Sequence, residues 1–274
     1  MSNPSPLLRL RDLQYTYPNG TEAVRGVTLD FPPGQRVSLL GENGSGKTTL
    51  ARLLVGLLRP TRGALLVKGV DSSTLSTHEI SEKVGLVFQN PDHQIFEQRV
   101  WDEVAFGPRN YALPEPEIAR RVEVQLRRFG LWEDRLRLPA ALSGGERKRV
   151  TFASTFALRP DVLLLDEPTK GMDFGRKRDL AAVARCLTEE GRTVVFITHD
   201  VDFAFASTER AIILQGGRVF LEGPTAEVLA DPSVTEAGLL PPEAPRLLGL
   251  LRERGLSPRS RLFREVSRQL GGHA

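Results

Sequence analysis

The residues Gly41 to Thr48 have the types and the spacing that bind the phosphate groups of a nucleotide. They read Gly-Glu-Asn-Gly-Ser-Gly-Lys-Thr and fit the pattern G-x-x-x-x-G-K-[ST]. The three glycines allow successive main-chain N–H groups to face one anion. Lys47 can reach the β- and γ-phosphates, and the hydroxyl of Thr48 is a ligand for Mg²⁺. The segment therefore predicts a nucleoside triphosphate site.

The flanking segments favour this interpretation over a plain glycine-rich turn. An apolar run at 37–40 predicts a strand before the loop. Leucines on one helical face follow it, and Pro60 and Gly63 are expected to end that helix. These leucines are Leu50, Leu53, Leu54, Leu57 and Leu58. A helix that begins at the loop directs the positive end of its dipole at the phosphates.

Two carboxylates, Asp166 and Glu167, follow Val162–Leu165, which predicts a strand buried on both faces. Asp166 can hold Mg²⁺, through water, and Glu167 can orient or deprotonate the water that attacks the γ-phosphate. Apolar strands also end in Asp at ordinary turns. The catalytic assignment therefore depends on the presence of Lys47 in the same chain.

A second anion site is predicted at Ser143, where a serine followed three residues later by Glu146 forms a capping box. The helix is expected to continue through Ala157. A capped helix start with two glycines also binds anions. One such site can hold the chain's own ATP, and the other requires the ATP of a second chain.

Gln89 and His199 follow strands predicted at Val84–Phe88 and Thr193–Thr198. Open α/β sheets bind ligands at the carboxyl ends of their strands. Either residue alone is explained equally well as a polar strand cap. Together with the phosphate loop and the carboxylates, they predict one site.

The composition is that of an ordinary globular protein, with 274 residues, 40% hydrophobic residues and a net charge of +3. This charge does not favour nucleic-acid binding. A single cysteine excludes an intramolecular disulfide, and the amino-terminal residues show no targeting signal, so we expect a cytoplasmic location. No apolar run reaches the roughly 20 residues that span a bilayer, so a membrane role would require a partner.

The elements that position these residues follow a recognisable order. Further strands are predicted at Leu7–Asp12, Val27–Phe31, Arg36–Leu40 and Ala64–Lys68. Helical patterns, notably at 116–129, predict an insertion at about 90–160. A parallel core then resumes, with a helix at Lys177–Glu190, and a helical extension follows residue 223.

In this order the motifs resemble the nucleotide-binding domain of ABC ATPases over roughly residues 7 to 223. The resemblance implies a P-loop NTPase of the α/β class: a RecA-like parallel sheet core, an N-terminal antiparallel β subdomain, the helical insertion and a C-terminal helical dimerisation region at 224–274. It implies that Tyr17 stacks on adenine and that the remaining ATP-binding residues are Gly41, Glu42, Asn43, Gly44, Ser45, Gly46, Lys47, Thr48 and Thr49.

The same resemblance implies roles in catalysis and in pairing with a second chain. Glu167, His199 and Gln89 would be catalytic, and Mg²⁺ would bind Thr48, Gln89 and Asp166. The partner's ATP would bind Ser143, Gly144, Gly145 and Glu146. Glu146 replaces the commoner Gln, and Lys170 and Met172 replace a small residue and Leu, which bears on catalytic rate and subunit pairing rather than on ATP binding.

Segments 88–96, 102–110 and 238–242 are similar to the ATPase subunits of energy-coupling factor (ECF) importers for vitamins and transition-metal ions. This implies a second ATPase subunit, identical or paralogous, together with a transmembrane coupling subunit and a substrate-binding membrane subunit. The location would be the cytoplasmic membrane face. Which vitamin or metal is carried stays open, and His93 lacks the histidine spacing of a metal site.

Several alternatives stay open. The chain could serve another class of ABC transporter; a soluble ABC protein acting on nucleic acid is opposed by the single phosphate loop and the lack of heptads. Phe96, Val104 and Phe106 either line a groove for a partner helix or form the insertion core. The arginines at 246–268 either bind anionic lipids or are solvated on helices that pack between two ATPase subunits.

Overall fold

The computed structural model describes residues 5–243 and places the phosphate loop between two β-sheets. Within these residues the strands are β1 Leu8–Thr16, β2 Glu22–Phe31, β3 Arg36–Leu40, β4 Arg62–Val67, β5 Val70–Asp71, β6 Val84–Val87, β7 Val162–Asp166, β8 Thr193–Ile197, β9 Arg210–Gln215 and β10 Arg218–Pro224. The α-helices are α1 Lys47–Leu54, α2 Thr77–Ser81, α3 Val100–Asn110, α4 Glu115–Arg128, α5 Gly144–Ala157, α6 Phe174–Glu189, α7 Val201–Ser207 and α8 Thr225–Ala230.

The larger sheet has the strand order β10-β9-β3-β8-β7-β6. Its strands β9, β3, β8, β7 and β6 are parallel, and β10 joins the edge antiparallel to β9. Every residue of β7 and β8 is buried, as expected for central strands covered on both faces. The four strands that precede the predicted site residues, β3, β8, β7 and β6, are therefore direct neighbours.

The smaller sheet is antiparallel, with the order β2-β1-β4-β5. Alternating buried leucines along β1, at positions 8 and 10, place one face of this sheet on a core shared with α1 and with β3 and β7. The predicted combination of a parallel P-loop core and an antiparallel β subdomain is confirmed.

Three helices, α3, α4 and α5, occupy the segment predicted as an insertion and bury a hydrophobic cluster of their own. Ile118, Val122 and Leu126 lie at helical spacing on the buried face of α4. Val104 is fully buried in this cluster, which makes it part of the insertion core rather than a groove residue.

The structure differs from the sequence prediction in the helix after the phosphate loop and in two strands. α1 ends at Leu54, because Gly56 adopts a φ of +74° that a helix cannot continue, and Leu57 is exposed. The predicted leucine stripe through Leu58 is wrong beyond that point. β9 and β10 were not predicted, because the apolar run at 211–214 is too short to be distinguished from a buried helix by periodicity.

The first part of the C-terminal extension packs on the nucleotide-binding core. Val228, Leu229 and Leu239 share a cluster with Leu40 of β3 and Ile213 of β9. Residues 228–239 of the extension thus pack on the core, and the boundary at residue 223 stays a prediction. The arginine-rich residues 246–268, and the roles predicted for them, lie outside the described residues.

Phe196 is expected to be critical for stability because it is fully buried in β8 and packs edge-to-face on Phe203, with ring centroids 5.0 Å apart. Phe196→Ala should lower the free energy of unfolding by about 3–5 kcal/mol in urea denaturation. The matched control is Phe174→Ala, because Phe174 is 79% exposed, and its effect should stay within about 0.5 kcal/mol. Similar losses for the two variants would contradict this assignment of the core.

Candidate nucleotide site

The phosphate loop connects β3 to α1 through backbone conformations that require glycine at two positions. Gly41 has a φ of +141° and Gly46 a φ of +104°. A Cβ atom on Gly41 would lie 2.3 Å from the carbonyl oxygen of Leu214, and one on Gly46 would lie 2.4 Å from that of Ala23. Both distances are shorter than a van der Waals contact. The neighbouring backbone therefore requires glycine at both positions, independently of any ligand.

Lys47 is the first residue of α1, and its ammonium group lies inside the loop. Nζ donates to the carbonyl oxygens of Gly41 and Glu42, at 2.7 and 2.8 Å, and lies 3.4 Å from Oγ of Ser45. Burial lowers the pKa of Lys47, and the carboxylates of Glu167 and Asp166 oppose this shift. The positive charge is thus held at the helix N-terminus, where phosphate groups bind.

Asp166 is the last residue of β7 and is 7% exposed. Burial, followed by the charge of Glu167, raises the pKa of Asp166 to about 6, and Lys47 opposes this shift. Despite Lys47, the ionised form of Asp166 therefore destabilises the fold when no divalent cation is bound. A carboxylate in this state gains electrostatic energy from a divalent cation.

Glu167 follows Asp166 with a φ of +45°, which is uncommon for a residue with a side chain. Its N–H group donates to the carbonyl oxygen of Ile197 at the end of β8, at 2.8 Å. Its Oε1 atom lies 2.8 Å from Nδ1 of His199, and the hydroxyl of Thr198 donates to Oε2 at 3.3 Å. Nδ1 of His199 thus contacts the carboxylate, and Nε2 takes no part in this contact.

Most of the predicted site residues line one cleft of about 400 Å³. Those shared with the prediction are Tyr17, Asn43, Gly44, Gly46, Lys47, Thr48, Thr49, Gln89, Asp166, Glu167 and His199. Gly41, Glu42 and Asn43 line an adjoining cavity of about 1010 Å³, together with Glu167 and His199. Ser45 lines neither cavity, and its carbonyl oxygen accepts a hydrogen bond from the N–H of Gly217.

Tyr17 is one of the residues that line the 400 Å³ cleft. Its hydroxyl is 3.0 Å from that of Thr49 on α1, and its ring packs edge-to-face on Tyr15 with centroids 4.9 Å apart. These contacts fix the ring beside the phosphate loop. The position is compatible with stacking on adenine, which stays a prediction.

The residues predicted to bind the partner's ATP do not line the 400 Å³ cleft. These signature residues are Ser143, Gly144, Gly145 and Glu146 at the start of α5, the signature helix. Ser143 caps α5 instead: its Oγ accepts the N–H of Glu146 at 3.3 Å, and Oε2 of Glu146 accepts the N–H of Ser143 at 2.8 Å. The capping box is therefore confirmed. This backbone hydrogen bond lowers the pKa of Glu146, so the replacement of Gln by Glu supplies the charged acceptor of the cap.

Two residues at the site were not predicted as functional. Thr198 supports Glu167, but its position within an apolar strand end gave no chemical signal. Lys148 on α5 donates from its buried ammonium group to the carbonyl oxygen of Glu167 at 2.7 Å. It is 19 residues from Glu167 in the chain, and only the packing of α5 against the end of β7 brings the two together.

The donors near the phosphate loop fit Mg²⁺. Thr48, Gln89 and Asp166 line the cleft and offer oxygen atoms, the ligand type that Mg²⁺ prefers. Within residues 5–243, no group of three or more His, Cys, Asp or Glu side chains is arranged to hold a metal on its own. A Mg²⁺ ion at this cleft would accordingly be coordinated in part by protein side chains and in part by nucleotide phosphates, as is common for this ion.

The fold and the cleft define a P-loop NTPase with the features of an ATP-binding cassette. The profile of the ABC transporter family matches residues 24–170. The energy-coupling factor transporter ATP-binding protein EcfA of Methanothermobacter thermautotrophicus is 39% identical over 98% of this chain and 89% of its own length. The EcfA protein of Methanoculleus marisnigri is 42% identical over 92% and 91%.

A protein of Methanosarcina acetivorans described as an ABC transporter ATP-binding protein is 44% identical over 93% of this chain, which spans only 42% of that relative's length. Among solved structures, cbiO1 of Clostridium perfringens, part of the ABC transporter complex cbiONQ, has a TM-score of 0.75 and 34% identity over 85% of this chain and 94% of its own. The chain belongs to the ABC transporter family of ATP-binding proteins, and it is an ATPase of the energy-coupling factor type.

Asp166 should make the stability of the nucleotide-free and Mg²⁺-free protein dependent on pH. Its pKa rises from the ordinary value of 3.8 to about 6 in the fold. Because the folded protein binds this proton more tightly than the unfolded chain does, the free energy of unfolding should decrease as the pH rises from about 4 to 6. Asp166→Asn removes the buried charge, so it should stabilise the protein at pH 7, by up to about 3 kcal/mol for a pKa difference of this size.

The measurement is urea unfolding of both proteins between pH 4 and 7. The advantage of Asp166→Asn should shrink toward pH 4, where protonation of the folded parent removes the buried charge. Asp179→Asn is the control, because Asp179 is exposed, and it should change the free energy of unfolding by less than about 0.5 kcal/mol. An Asp166→Asn variant that is less stable than the parent at pH 7 would refute the assigned effect of burial.

Proposed function

We propose that this chain couples ATP hydrolysis to the uptake of a vitamin or a transition-metal ion through membrane subunits of an ECF-type importer. Two ATPase chains, identical or paralogous, face each other so that each nucleotide lies between the phosphate loop of one and the signature helix of the other. The main observation behind the proposal is that the cleft is incomplete. It is lined by the phosphate loop and by residues at the ends of β6, β7 and β8, but not by Ser143–Gly145.

A second helix N-terminus supports the same arrangement. The start of α5 is capped, and Gly144 and Gly145 carry no side chains that would block an anion. Both glycines line a separate cavity of about 520 Å³. A similar solved structure, with a TM-score of 0.73 and 28% identity over 80% of this chain, is described as a dimeric post-hydrolysis ATP-binding cassette bound to ADP and Pi.

We assign the steps of hydrolysis to particular groups on the basis of their positions. Lys47 and the N–H groups of the phosphate loop hold the nucleotide phosphates, and Tyr17 holds the base. Glu167, oriented by His199 and Thr198, positions the attacking water and accepts its proton while the oxygen attacks the γ-phosphorus. The bond from the γ-phosphorus to the β–γ bridging oxygen breaks, and ADP leaves with the bridging oxygen. A Mg²⁺ ion held by Thr48, Asp166 and Gln89 would supply charge neutralisation. Closure by the partner chain excludes other water from the cleft.

A groove beside Gln89 suits the membrane subunit. It is a cavity of about 290 Å³, and Phe96 and Phe106 lie at its surface, 61% and 38% exposed, with ring centroids 4.5 Å apart. Buried Glu103 accepts the N–H groups of Phe96 and Glu97, at 3.0 and 2.9 Å. Gln94 bridges the N–H of Phe88 and the hydroxyl of Thr155.

These hydrogen bonds join the wall of the groove to the end of β6 and to α5. A movement of α5 or of Gln89 would therefore also move the residues that line the groove. An apolar cleft with two exposed aromatic rings fits the apolar face of an amphipathic helix. Within the described residues, no helix has the length and hydropathy needed to cross a bilayer. We propose that the chain lies at the cytoplasmic face of the membrane, held there by its membrane partners, and we expect no nucleic-acid partner.

The C-terminal extension is proposed as a second contact between ATPase subunits. Its first residues already pack on the core, as Val228 and Leu239 show, so a test of this role should remove residues 244–274 and leave 224–243 in place. A deletion from 224 onward would uncover Leu40 and Ile213 of the core. Loss of folding in that deletion would carry no information about pairing.

Glu167→Gln should separate ATP binding from hydrolysis. The amide keeps the shape of the side chain but cannot accept the proton, so phosphate release should fall by about 10² to 10⁴. Because ATP is then retained, sedimentation should show dimers when ATP is present, with the chain itself or with a paralogous ATPase. Lys47→Ala is the contrasting variant and should lose tight ATP binding, since Lys47 acts on the ground-state phosphates.

Two results would refute separate parts of this proposal. Phosphate release by Glu167→Gln at the parent rate would show that Glu167 is not the general base. A Glu167→Gln chain that stays monomeric with ATP, alone and with a candidate paralogue, would show that the cleft is not completed by a second chain.

The groove should tolerate no charge if it receives a membrane subunit. Phe96→Glu combined with Phe106→Glu should leave ATP binding by the isolated chain intact and abolish co-purification with membrane subunits from detergent-solubilised membranes. Leu136→Glu is the matched control, because Leu136 is 66% exposed in the insertion and does not line the groove. Unchanged co-purification of the double variant would move the docking site elsewhere.

A further inference from the structure

Lys148 occupies an unusual position for a lysine. It lies on α5, is only 7% exposed, and its Nζ donates to the carbonyl oxygen of Glu167 at 2.7 Å and lies 3.5 Å from that of Lys170. Among residues 5–243, no carboxylate lies within 4.0 Å of this ammonium group. Lys148 does not line the 400 Å³ nucleotide cleft, but it lines the 520 Å³ cavity together with Gly144 and Gly145.

Burial of this charge needs an explanation other than packing. Desolvation of an ammonium group is costly, and carbonyl acceptors compensate for it only in part. Burial lowers the pKa of Lys148 to about 8, and the charge of Glu167 opposes this shift. A methionine would fill the same space without that cost. The position of Lys148 is therefore best explained by what its hydrogen bonds hold in place.

They hold the main chain of Glu167, which has the positive φ of +45°. A side-chain residue in this region is maintained by surrounding contacts. The N–H of Glu167 is bonded to β8, its carboxylate to His199 and Thr198, and its carbonyl oxygen to Lys148 and to the N–H of Lys170 at 3.4 Å. Through Lys148, α5 contributes one of the hydrogen bonds that hold Glu167.

The helix that carries Lys148 begins at Ser143, which serves the other nucleotide in the proposed dimer. A second contact joins the same region to α6: a Cβ atom on Gly145 would lie 2.9 Å from Nη1 of Arg176. The start of α5 is thus packed against α6, while its second turn is bonded to the segment 167–170. A shift of α5 that accompanies binding of the partner's ATP would displace the carbonyl oxygen of Glu167.

We propose that Lys148 is a positioning residue for hydrolysis, which holds the backbone of Glu167 in its catalytic conformation and links it to the signature helix of the same chain. The proposal rests on the proposed function, because it gives α5 a role at the partner's nucleotide. In the dimer, each general base would then be placed by a helix that contacts the other ATP. The two sites would be connected through one buried side chain in each subunit.

The test compares Lys148→Met, Lys148→Arg and Thr151→Val in the full chain. Because Lys148 does not line the cleft of its own chain, Lys148→Met should lower kcat by about 10- to 100-fold and leave ATP binding by the isolated chain unchanged. Its Tm should equal or exceed that of the parent, since a buried charge is replaced by an apolar group of similar length. Lys148→Arg keeps a donor and should recover part of kcat.

Thr151→Val is the matched control on the same helix, because the buried hydroxyl of Thr151 donates only to the carbonyl oxygen of Lys148, at 2.8 Å. Both Tm and kcat should stay close to the parent's, because valine has nearly the same shape and the carbonyl of Lys148 keeps its hydrogen bond within α5. This result would show that removing a buried polar group from α5 does not by itself reduce hydrolysis. A loss of kcat in Thr151→Val as large as in Lys148→Met would overturn the proposal.

Other outcomes would also overturn it. Parental kcat in Lys148→Met would remove the positioning role, and a parallel fall of Tm and kcat without recovery in Lys148→Arg would reduce Lys148 to a structural residue. If the parent is active and Glu167→Gln is not, either result refutes this inference alone. A parent without ATPase activity would refute the proposed function and this inference together.

Discussion

The parallel packing of four neighbouring strands is the constraint on which the site depends. Because β3, β8, β7 and β6 run in the same direction, the phosphate loop, His199, the carboxylates and Gln89 all emerge at one edge of the sheet. The same packing buries Lys47 and Asp166, so their charges act in a medium that screens them poorly. The fold thus concentrates opposite charges at one edge. Nucleotide phosphates and a divalent cation can complete this charge balance.

The cleft contains the elements of catalysis for one side of a nucleotide and lacks the other. Its own chain carries the missing anion site at the start of α5, on the helical insertion. A helix N-terminus can stabilise an anion only at close range, within its first turn. In the proposed dimer, a nucleotide held by the phosphate loop of one chain would therefore contact the α5 of another. The insertion also presents the exposed aromatic groove, so in the proposed complex one helical unit would contact both the partner's nucleotide and a membrane subunit.

Several side chains have a structural and a functional role at once. Glu146 closes the cap of the helix whose start is the proposed anion site, and His199 contacts Glu167 through Nδ1 and would contact phosphate through Nε2 in the proposed mechanism. Gly41 and Gly46 are required by neighbouring carbonyl groups and by the nucleotide alike. Such double use explains why the site residues are held by short, specific hydrogen bonds. It also explains why substitutions here need stability measurements beside kinetic ones.

The sequence by itself determined the family and the candidate site residues, because nucleotide-binding motifs require particular residue types at short fixed spacings, as in Gly41–Thr48, Ser143–Glu146 and Asp166–Glu167. It also determined the fold class, through the order of strand, glycine loop and helix. Tertiary structure alone decided the contacts between residues distant in the chain: Lys148 with Glu167, His199 with the same carboxylate, and residues 225–239 with the core. It decided the burial of Val104 and the early end of α1. Local patterns cannot encode these features, because they depend on which surfaces meet after the chain has folded.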